Sequence, residues 1–209
     1  MKTPLCTRLG IELPIVQAPM GGAGGPALAA AVCNAGGLGM LALWHADADT
    51  MRRQIRETRA LTSRPFGMNL NLEFRQEKRL AVCLEERVPI ISFFWRDPIH
   101  LVPLAKEGGA IVMHTVGSAA DAKRAVDAGV DIVIAQGWEA GGHVRGTVAT
   151  MPLIPAVVDA VSPAPVVAAG GIADGRGLAA ALALGASGAW IGTRFLASGH
   201  RKAAGSSSA

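Results

Sequence analysis

Two glycine turns near the C-terminus have the composition of an anion-binding site. Gly170 and Gly171 follow the apolar run Val166–Ala169, and Gly192 and Thr193 follow the next apolar run. Glycine turns let backbone N–H groups approach a phosphate closely. The sequence therefore predicts a phosphate-binding clamp made by two loops, with two tight turns in a glycine-rich chain as the alternative.

A longer loop places a histidine among glycines. The segment Gln136–Gly146 follows a third apolar run and contains His143 directly after Gly142. An imidazole on such a loop is suited to general base catalysis or to hydrogen bonding with an anionic substrate. A solvated loop histidine is the alternative, and the length of the loop favours the functional interpretation.

Other candidate contacts follow earlier apolar runs. The amide of Asn69 is suited to a heterocycle or to an ordinary strand-end cap. Ala18, Pro19 and Met20 are placed to press on a flat ring, although methionine more often packs in a core. His114 is a weaker candidate at the predicted mouth, because no acidic partner accompanies it in the sequence.

Composition excludes several classes of function. The net charge of +4 is spread along the chain, which argues against nucleic-acid binding. The three cysteines have no CxxC spacing, so we expect neither a zinc site nor a disulfide framework. We therefore expect the protein to lie in the cytoplasm. No run of 18 apolar residues predicts a membrane span. No HExxH, GxSxG or phosphate-binding P-loop pattern occurs, and we expect no metal site.

The elements that must position these residues alternate regularly along the chain. Half of the residues are hydrophobic, enough for a sizeable core. The apolar runs predict eight strands: Ile15–Ala18, Leu38–Leu43, Phe66–Leu70, Pro89–Phe93, Ala110–His114, Ile132–Gln136, Val166–Ala169 and Ala189–Gly192. Periodic segments between them predict seven helices: Pro26–Ala35, Ala48–Leu61, Gln76–Arg87, Pro98–Glu107, Ser118–Ala128, Met151–Val161 and Arg176–Leu184.

This alternation predicts an α/β fold, a (β/α)8 TIM barrel. Each βα unit takes about 25 residues, near the lower limit for such barrels. A doubly wound sheet is the rival, supported by the GxGxxA-like segment Gly22–Ala27. That fold needs an acidic residue at the end of the second strand, and none occurs before Asp47. In a barrel, the candidate residues would form one ring at the carboxyl ends of the strands.

The C-terminal segment departs from the pattern. We expect residues 1–197 to form the barrel domain and the small, polar residues 198–209 to be a disordered tail. The eighth amphipathic helix is therefore missing or atypical, which would expose the flank between the last and first strands. We expect either a partner chain, such as a second copy in a homo-oligomer, to cover this flank or the chain to be a shortened version of a longer protein.

Taken in order, these segments resemble the nitronate monooxygenase family, formerly called 2-nitropropane dioxygenases. The resemblance runs from about Thr3 to Ala197. It rests on six segments at strand ends: Pro14–Gly22, Asn34–Gly39, Phe66–Leu70, Ala135–His143, Ala169–Gly175 and Gly192–Phe195.

The resemblance implies an FMN enzyme that oxidises alkyl nitronates, or nitroalkanes, with dioxygen to carbonyl compounds and nitrite, without a reduced nicotinamide. His143 matches the family's catalytic histidine, which would remove the α-proton of a nitroalkane or orient a nitronate. The remaining motif residues would hold FMN: Ala18, Pro19 and Met20 at the isoalloxazine, Asn69 and Gln136 at the flavin, and Gly142, Gly170, Gly171, Gly192 and Thr193 at the ribityl phosphate.

The sequence departs from the family pattern at two places. The family's Gly-Gly-His-Arg-Gly is here Gly-Gly-His-Val-Arg-Gly, which displaces Arg145 by one residue. The family chain also continues past the segment around Phe195. Two other functions stay open: an NAD(P)H-dependent enoyl-ACP reductase of the flavin type, which shares many of these motifs, and a non-catalytic flavin or phosphate binder.

Overall fold

The computed structural model describes residues 2–199, and their strands form one parallel sheet. The eight strands are β1 Ile15–Gln17, β2 Met40–Ala42, β3 Gly67–Asn71, β4 Ile90–Phe94, β5 Ile111–Val116, β6 Ile132–Gln136, β7 Val166–Ala169 and β8 Gly188–Ile191. Their order is β1-β8-β7-β6-β5-β4-β3-β2, and a parallel bridge between Val16 and Leu38 joins the two ends. The predicted TIM barrel is confirmed, and the doubly wound alternative is wrong.

All seven predicted helices occur between the strands, and two further helices flank them. The helices are α1 Pro4–Leu9, α2 Pro26–Asn34, α3 Ala48–Leu61, α4 Glu77–Glu85, α5 Val102–Glu107, α6 Ala119–Asp127, α7 Thr150–Val161, α8 Gly175–Ala183 and α9 Thr193–Leu196. Helix α5 begins four residues later than predicted, because Pro98 to Leu101 form a hydrogen-bonded turn in which the Leu101 N–H donates to the Pro98 carbonyl.

Side-chain caps explain where several helices begin. The carboxylate of Asp47 accepts from the Thr50 N–H at 2.7 Å at the start of α3. The hydroxyl of Ser118 accepts from the Asp121 N–H at 3.1 Å at the start of α6. Such caps satisfy N–H groups that have no partner inside the helix. These caps set the residue at which each loop from the barrel mouth ends and its helix begins.

Two apolar layers pack on the opposite faces of the barrel wall. Residues alternate between the faces of a strand, so Met113 belongs to the cluster inside the barrel while Val112 and Val116 pack against the helices. Helix α1, which the sequence did not predict, contributes Leu5 to the inside cluster. A Cβ at Gly188 would lie 2.5 Å from a Leu5 methyl carbon, so α1 plugs the amino-terminal end of the barrel.

The junction of β1 and β2 has fewer backbone hydrogen bonds than a regular strand pair. The Gln17 N–H donates to the Leu38 carbonyl, and the Leu38 N–H donates to the Ile15 carbonyl. Beyond Leu38, the side-chain Oε1 of buried Gln17 accepts from the Met40 N–H at 3.1 Å. A side-chain amide therefore continues this junction where backbone pairing stops.

Within residues 2–199 the eighth helical position holds one helix, α9, four residues long, so the prediction of an atypical eighth helix is confirmed. The β8 side chains of Ala189 and Ile191 are buried. A partner at this flank stays a prediction, as does the tail at 198–209, most of which lies outside the described residues. No helix within residues 2–199 is long and apolar enough to cross a membrane.

Candidate functional site

Three glycine-containing loops meet at the carboxyl end of the barrel, as the sequence predicted. A Cβ at Gly141 would lie 3.2 Å from the Thr193 hydroxyl, and a Cβ at Gly171 would lie 3.7 Å from the Cβ of Glu139. Gly170 and Gly171 have φ values of +112° and +68°, which favour glycine. The loops after β6, β7 and β8 therefore lie side by side, as a shared anion site requires.

The end of β1 lies against the same loops. The Ala18 N–H donates to the Ile191 carbonyl at 2.8 Å. A Cβ at Gly192 would lie 3.5 Å from the Ala18 Cβ and 3.9 Å from the Met20 sulfur. Pro19 and Met20 are half-buried rather than in the core. The structure thus places Ala18 and Met20 beside Gly192 of the β8 loop.

The carboxamide of Gln136 leaves one buried polar atom without a partner. Its Nε2 donates to the His143 carbonyl at 3.0 Å. Its Oε1 is buried and accepts no hydrogen bond within the described part of the chain. Buried polar atoms are normally hydrogen-bonded, so an unpaired oxygen at the end of β6 fits a site for a hydrogen-bond donor from a ligand.

His143 is exposed on the β6–α7 loop and lies near two aromatic rings. Its ring centroid is 6.1 Å from that of Trp95, edge-on, and 6.5 Å from that of Phe94. The Gln136 amide holds the His143 backbone from the opposite side. The imidazole is therefore positioned by the ends of β4 and β6 and stays open to the solvent.

Arg145 links the histidine loop to the neighbouring β4 loop. Its guanidinium donates to the carbonyl oxygen of Trp95, whose φ of +87° is unusual for a residue other than glycine. A Cβ at Gly117 would lie 2.6 Å from the Gly146 Cα, so the β5 loop also contacts this segment. Arg145 therefore holds the β6–α7 loop against the end of β4.

Asn69 is buried inside the barrel beneath this mouth. Its Nδ2 donates to the Ser92 hydroxyl at 2.7 Å. Asn69 pairs in register with Ala42 of β2. Its side chain therefore lies against the middle of β4, where its amide NH₂ donates to Ser92.

Glu139 and Thr150 support the site and were not singled out in the sequence. The Glu139 carboxylate accepts from the Thr150 N–H at 2.8 Å and from its hydroxyl at 2.9 Å. The backbone hydrogen bond from Thr150 is the main cause that lowers the pKa of Glu139. The two residues are eleven positions apart, so no local sequence pattern indicated this contact.

The interpretation of His114 as a residue of the mouth is wrong. It alternates with Met113, which packs inside the barrel, so it lies on the outer face toward α6. Its Nδ1 lies 3.1 Å from the Phe93 carbonyl, and burial lowers its pKa to about 4. Asp121 and Arg145 line a cavity of about 20 Å³ beside it. No group of three potential metal ligands occurs among residues 2–199.

An apolar cleft of about 370 Å³ opens between the β1 and β2 loops. A Cβ at Gly21 would lie 3.1 Å from the ring of Trp44, so the indole forms one wall. The lining residues are small, aliphatic or aromatic: Gly21, Gly22, Ala42, Leu43, Trp44, His45 and Ala46. The cleft begins one residue beyond Met20 and therefore adjoins the candidate site.

Comparison with known proteins assigns the chain to a family. The family model described as nitronate monooxygenase matches residues 2–77 and 70–206. The chain belongs to the nitronate monooxygenase family. A curated nitronate monooxygenase from Paraburkholderia phytofirmans is 38% identical over 245 aligned positions, which cover 94% of this chain and 66% of the relative.

Other members of the family share more identity. A (3aS,4S,5R,7aS)-5-hydroxy-7a-methyl-1-oxo-octahydro-1H-indene-4-carboxyl-CoA dehydrogenase from Mycobacterium tuberculosis is 43% identical over 199 positions, which cover 94% of this chain and 56% of the relative. The solved structure of FabK from Thermotoga maritima superposes with a TM-score of 0.93 at 43% identity, over 97% of this chain and 65% of that one. This chain thus spans between half and two thirds of these relatives. Both curated relatives are oxidoreductases by name.

The two alignments with curated nitronate monooxygenase and dehydrogenase relatives differ in their gaps. About 196 residues of this chain are spread over 245 positions with the Paraburkholderia protein, which leaves about 49 positions that this chain does not fill. With the Mycobacterium dehydrogenase a similar number of residues fills 199 positions. The nitronate monooxygenase therefore has about 49 aligned positions, in one or more insertions, without a counterpart in this chain, whereas the alignment with the dehydrogenase has almost none.

Proposed function

We propose that the mouth of this barrel binds FMN. The main support is the buried, unpartnered Oε1 of Gln136 beside three converging glycine loops. Gly142, Gly170, Gly171, Gly192 and Thr193 would hold the phosphate, and Ala18, Pro19, Met20, Asn69 and Gln136 would contact the ring system. Bound FMN would supply an acceptor for two electrons and return them to dioxygen.

We further propose that the chain oxidises alkyl nitronates, or nitroalkanes, to carbonyl compounds and nitrite. His143 is exposed at the mouth and aligned with Phe94 and Trp95, where it can take the α-proton of a neutral nitroalkane. For a nitronate, which is already an anion, the imidazole would orient the substrate instead. The glycine N–H groups would bind the phosphate of FMN, which leaves the His143 imidazole to act on the substrate.

The test uses the flavin spectrum and a matched pair of histidine variants. Purified protein incubated with FMN should show the visible absorbance of bound flavin, and a nitronate but not NADPH should bleach it without oxygen. His143→Ala should keep the flavin and lose about a hundredfold or more of nitroalkane turnover. His100→Ala, at an exposed histidine that lies near Glu77 of α4, should match the parent. Failure to bind FMN, or full nitroalkane turnover by His143→Ala, would contradict the proposal.

A second candidate is flavin-dependent chemistry beside a thioester. The observation that favours it is the 43% identity to a carboxyl-CoA dehydrogenase aligned with almost no gaps. A thioester carbonyl, like a nitro group, stabilises negative charge on the neighbouring carbon, so the same histidine and flavin could serve both substrates. Bleaching by NADPH and oxidation of NADPH by crotonyl-CoA would select this enoyl-thioester reductase over nitronate oxidation. Bound flavin with neither activity would select a non-catalytic binder.

A further inference from the structure

The connection between β3 and α4 is a short, ordered turn at the barrel mouth. It consists of residues 72–76, between Asn71 and Glu77. The Gln76 Nε2 donates to the Asn71 carbonyl at 2.8 Å and to the Trp44 carbonyl at 3.4 Å. Phe74 is exposed on this turn, with its ring centroid 4.8 Å from that of His45. The turn thus flanks the apolar cleft directly.

The match to the family model is interrupted at the same turn. It consists of two stretches, residues 2–77 and 70–206, which overlap at residues 70–77, so we infer that a part of the family sequence has no counterpart at this turn. The Paraburkholderia nitronate monooxygenase has about 49 positions without a counterpart in this chain. A segment of that size after β3 would emerge on the face of the barrel that carries the ligand site. In this chain five residues take its place, and the cleft beside them is open.

We propose that this cleft binds the apolar hydrocarbon part of the substrate, a medium-length chain or an alicyclic ring. Its volume of about 370 Å³ lies within the range of small-molecule pockets, roughly 300 to 1,000 Å³. Its floor includes Ala42, which pairs in register with Asn69. The proposed function places Ala18, Pro19 and Met20 at the flavin ring, and the cleft lining begins at the next residue, Gly21, so a substrate bound at that ring would extend into the cleft. This inference depends on the proposed function in one respect, the position of the substrate's reacting carbon beside the cleft.

Binding of carboxylates of different length tests the cleft without any turnover. Isothermal titration of the FMN-free and FMN-loaded protein with decanoate and with butanoate should show decanoate bound at least about tenfold more tightly, because each buried CH₂ contributes to binding. Trp44→Ala removes a wall and should weaken decanoate binding about tenfold. Gly21→Leu fills the cleft and should abolish the preference for the longer chain. Thermal unfolding followed by circular dichroism confirms that each variant folds.

Trp138→Ala is the matched control, since this indole is 61% exposed and does not line the cleft. It should bind decanoate like the parent. Equal binding of decanoate and butanoate by the parent, or unchanged binding by both cleft variants, would overturn the inference. Tight decanoate binding without nitronate oxidation would contradict the proposed function alone, and nitronate oxidation without a chain-length preference would contradict the cleft alone.

Discussion

Gly171 and Gly109 share a left-handed backbone conformation but lie at opposite ends of the barrel. Their φ values are +68° and +81°, and each tolerates a Cβ without a close contact. Alanine at either position should lower the free energy of unfolding by about 1 to 2 kcal/mol, because L-residues are strained there. Only Gly171→Ala should also weaken FMN binding, about tenfold, when measured by flavin fluorescence titration. Equal FMN affinity in the two variants would remove Gly171 from the cofactor site.

His114 predicts a pH dependence of stability. Burial lowers its pKa in the folded chain to about 4, below the usual value of 6.5. Between these values the unfolded chain binds a proton that the folded chain does not, so stability falls as the pH falls from 6.5 to 4, by up to ~3 kcal/mol. Urea unfolding at pH 7, 5.5 and 4.5 measures this loss.

His114→Asn supplies the control for that titration, because its amide can still donate to the Phe93 carbonyl. The variant should lose less stability than the parent over the same pH interval. An identical pH dependence in both proteins would assign the effect to other groups.

At the level of residues, the sequence predicted which loops meet at the barrel mouth. It did not predict whether each side chain faces the inside or the outside of the barrel. Gly170, Gly171 and His143 follow strand ends, so the parallel barrel alone brings them to one face. The orientation of His114 depends on strand register, and one residue of shift reverses the face. The Oε1 of Gln136 has no partner among residues 2–199 because of the path that the His143 loop takes around it. The local sequence does not predict that path.

The β6–α7 loop is an element whose position depends on Arg145. Arg145→Ala removes the contact with the Trp95 carbonyl and should let the loop move, which lowers nitroalkane turnover about three- to tenfold through misplacement of His143. FMN affinity should fall less than turnover, since Gly170, Gly171, Gly192 and Thr193 lie on other loops and do not depend on this contact. Steady-state kinetics and limited proteolysis of the loop measure both effects.

Arg53→Ala is the matched control, at an exposed arginine of α3. It should leave turnover and proteolysis unchanged. If Arg145→Ala lost FMN affinity as strongly as turnover, Arg145 would belong to the cofactor site rather than to the support of His143.

Most elements could be predicted because apolar runs and periodic segments alternate at regular spacing. Helix α1 was missed because six residues are too few for a helical period to show. Its boundaries were present as signals: Thr3 caps the helix, Pro4 begins it, and Gly10 ends it with a φ of +68°. The start of α5 was placed too early because Pro98 is typical of both a turn and a first helical position.

The whole barrel depends on the α1 plug for its closed amino-terminal end. Leu5 is fully buried within the inside cluster, so Leu5→Ala should lower the free energy of unfolding by about 2 to 5 kcal/mol. Leu104→Ala on α5, where the leucine is 46% exposed, should cost less than about 1 kcal/mol. Urea unfolding compares the two variants. A similar small loss in both would show that α1 contributes little to the stability of the barrel.

Seven of the eight strand junctions are regular ladders, whereas β1 and β2 share a single bridge and the carboxamide of Gln17. Local unfolding starts where few hydrogen bonds must break. We therefore expect the barrel to open first at the junction of β1 and β2. Met20 follows β1 on one side of this junction, and Trp44 follows β2 on the other side. Opening of the barrel wall there would widen the cleft proposed for the hydrocarbon part of the substrate and leave the β7 and β8 loops in place. The proposed substrate would then exchange without release of the proposed FMN.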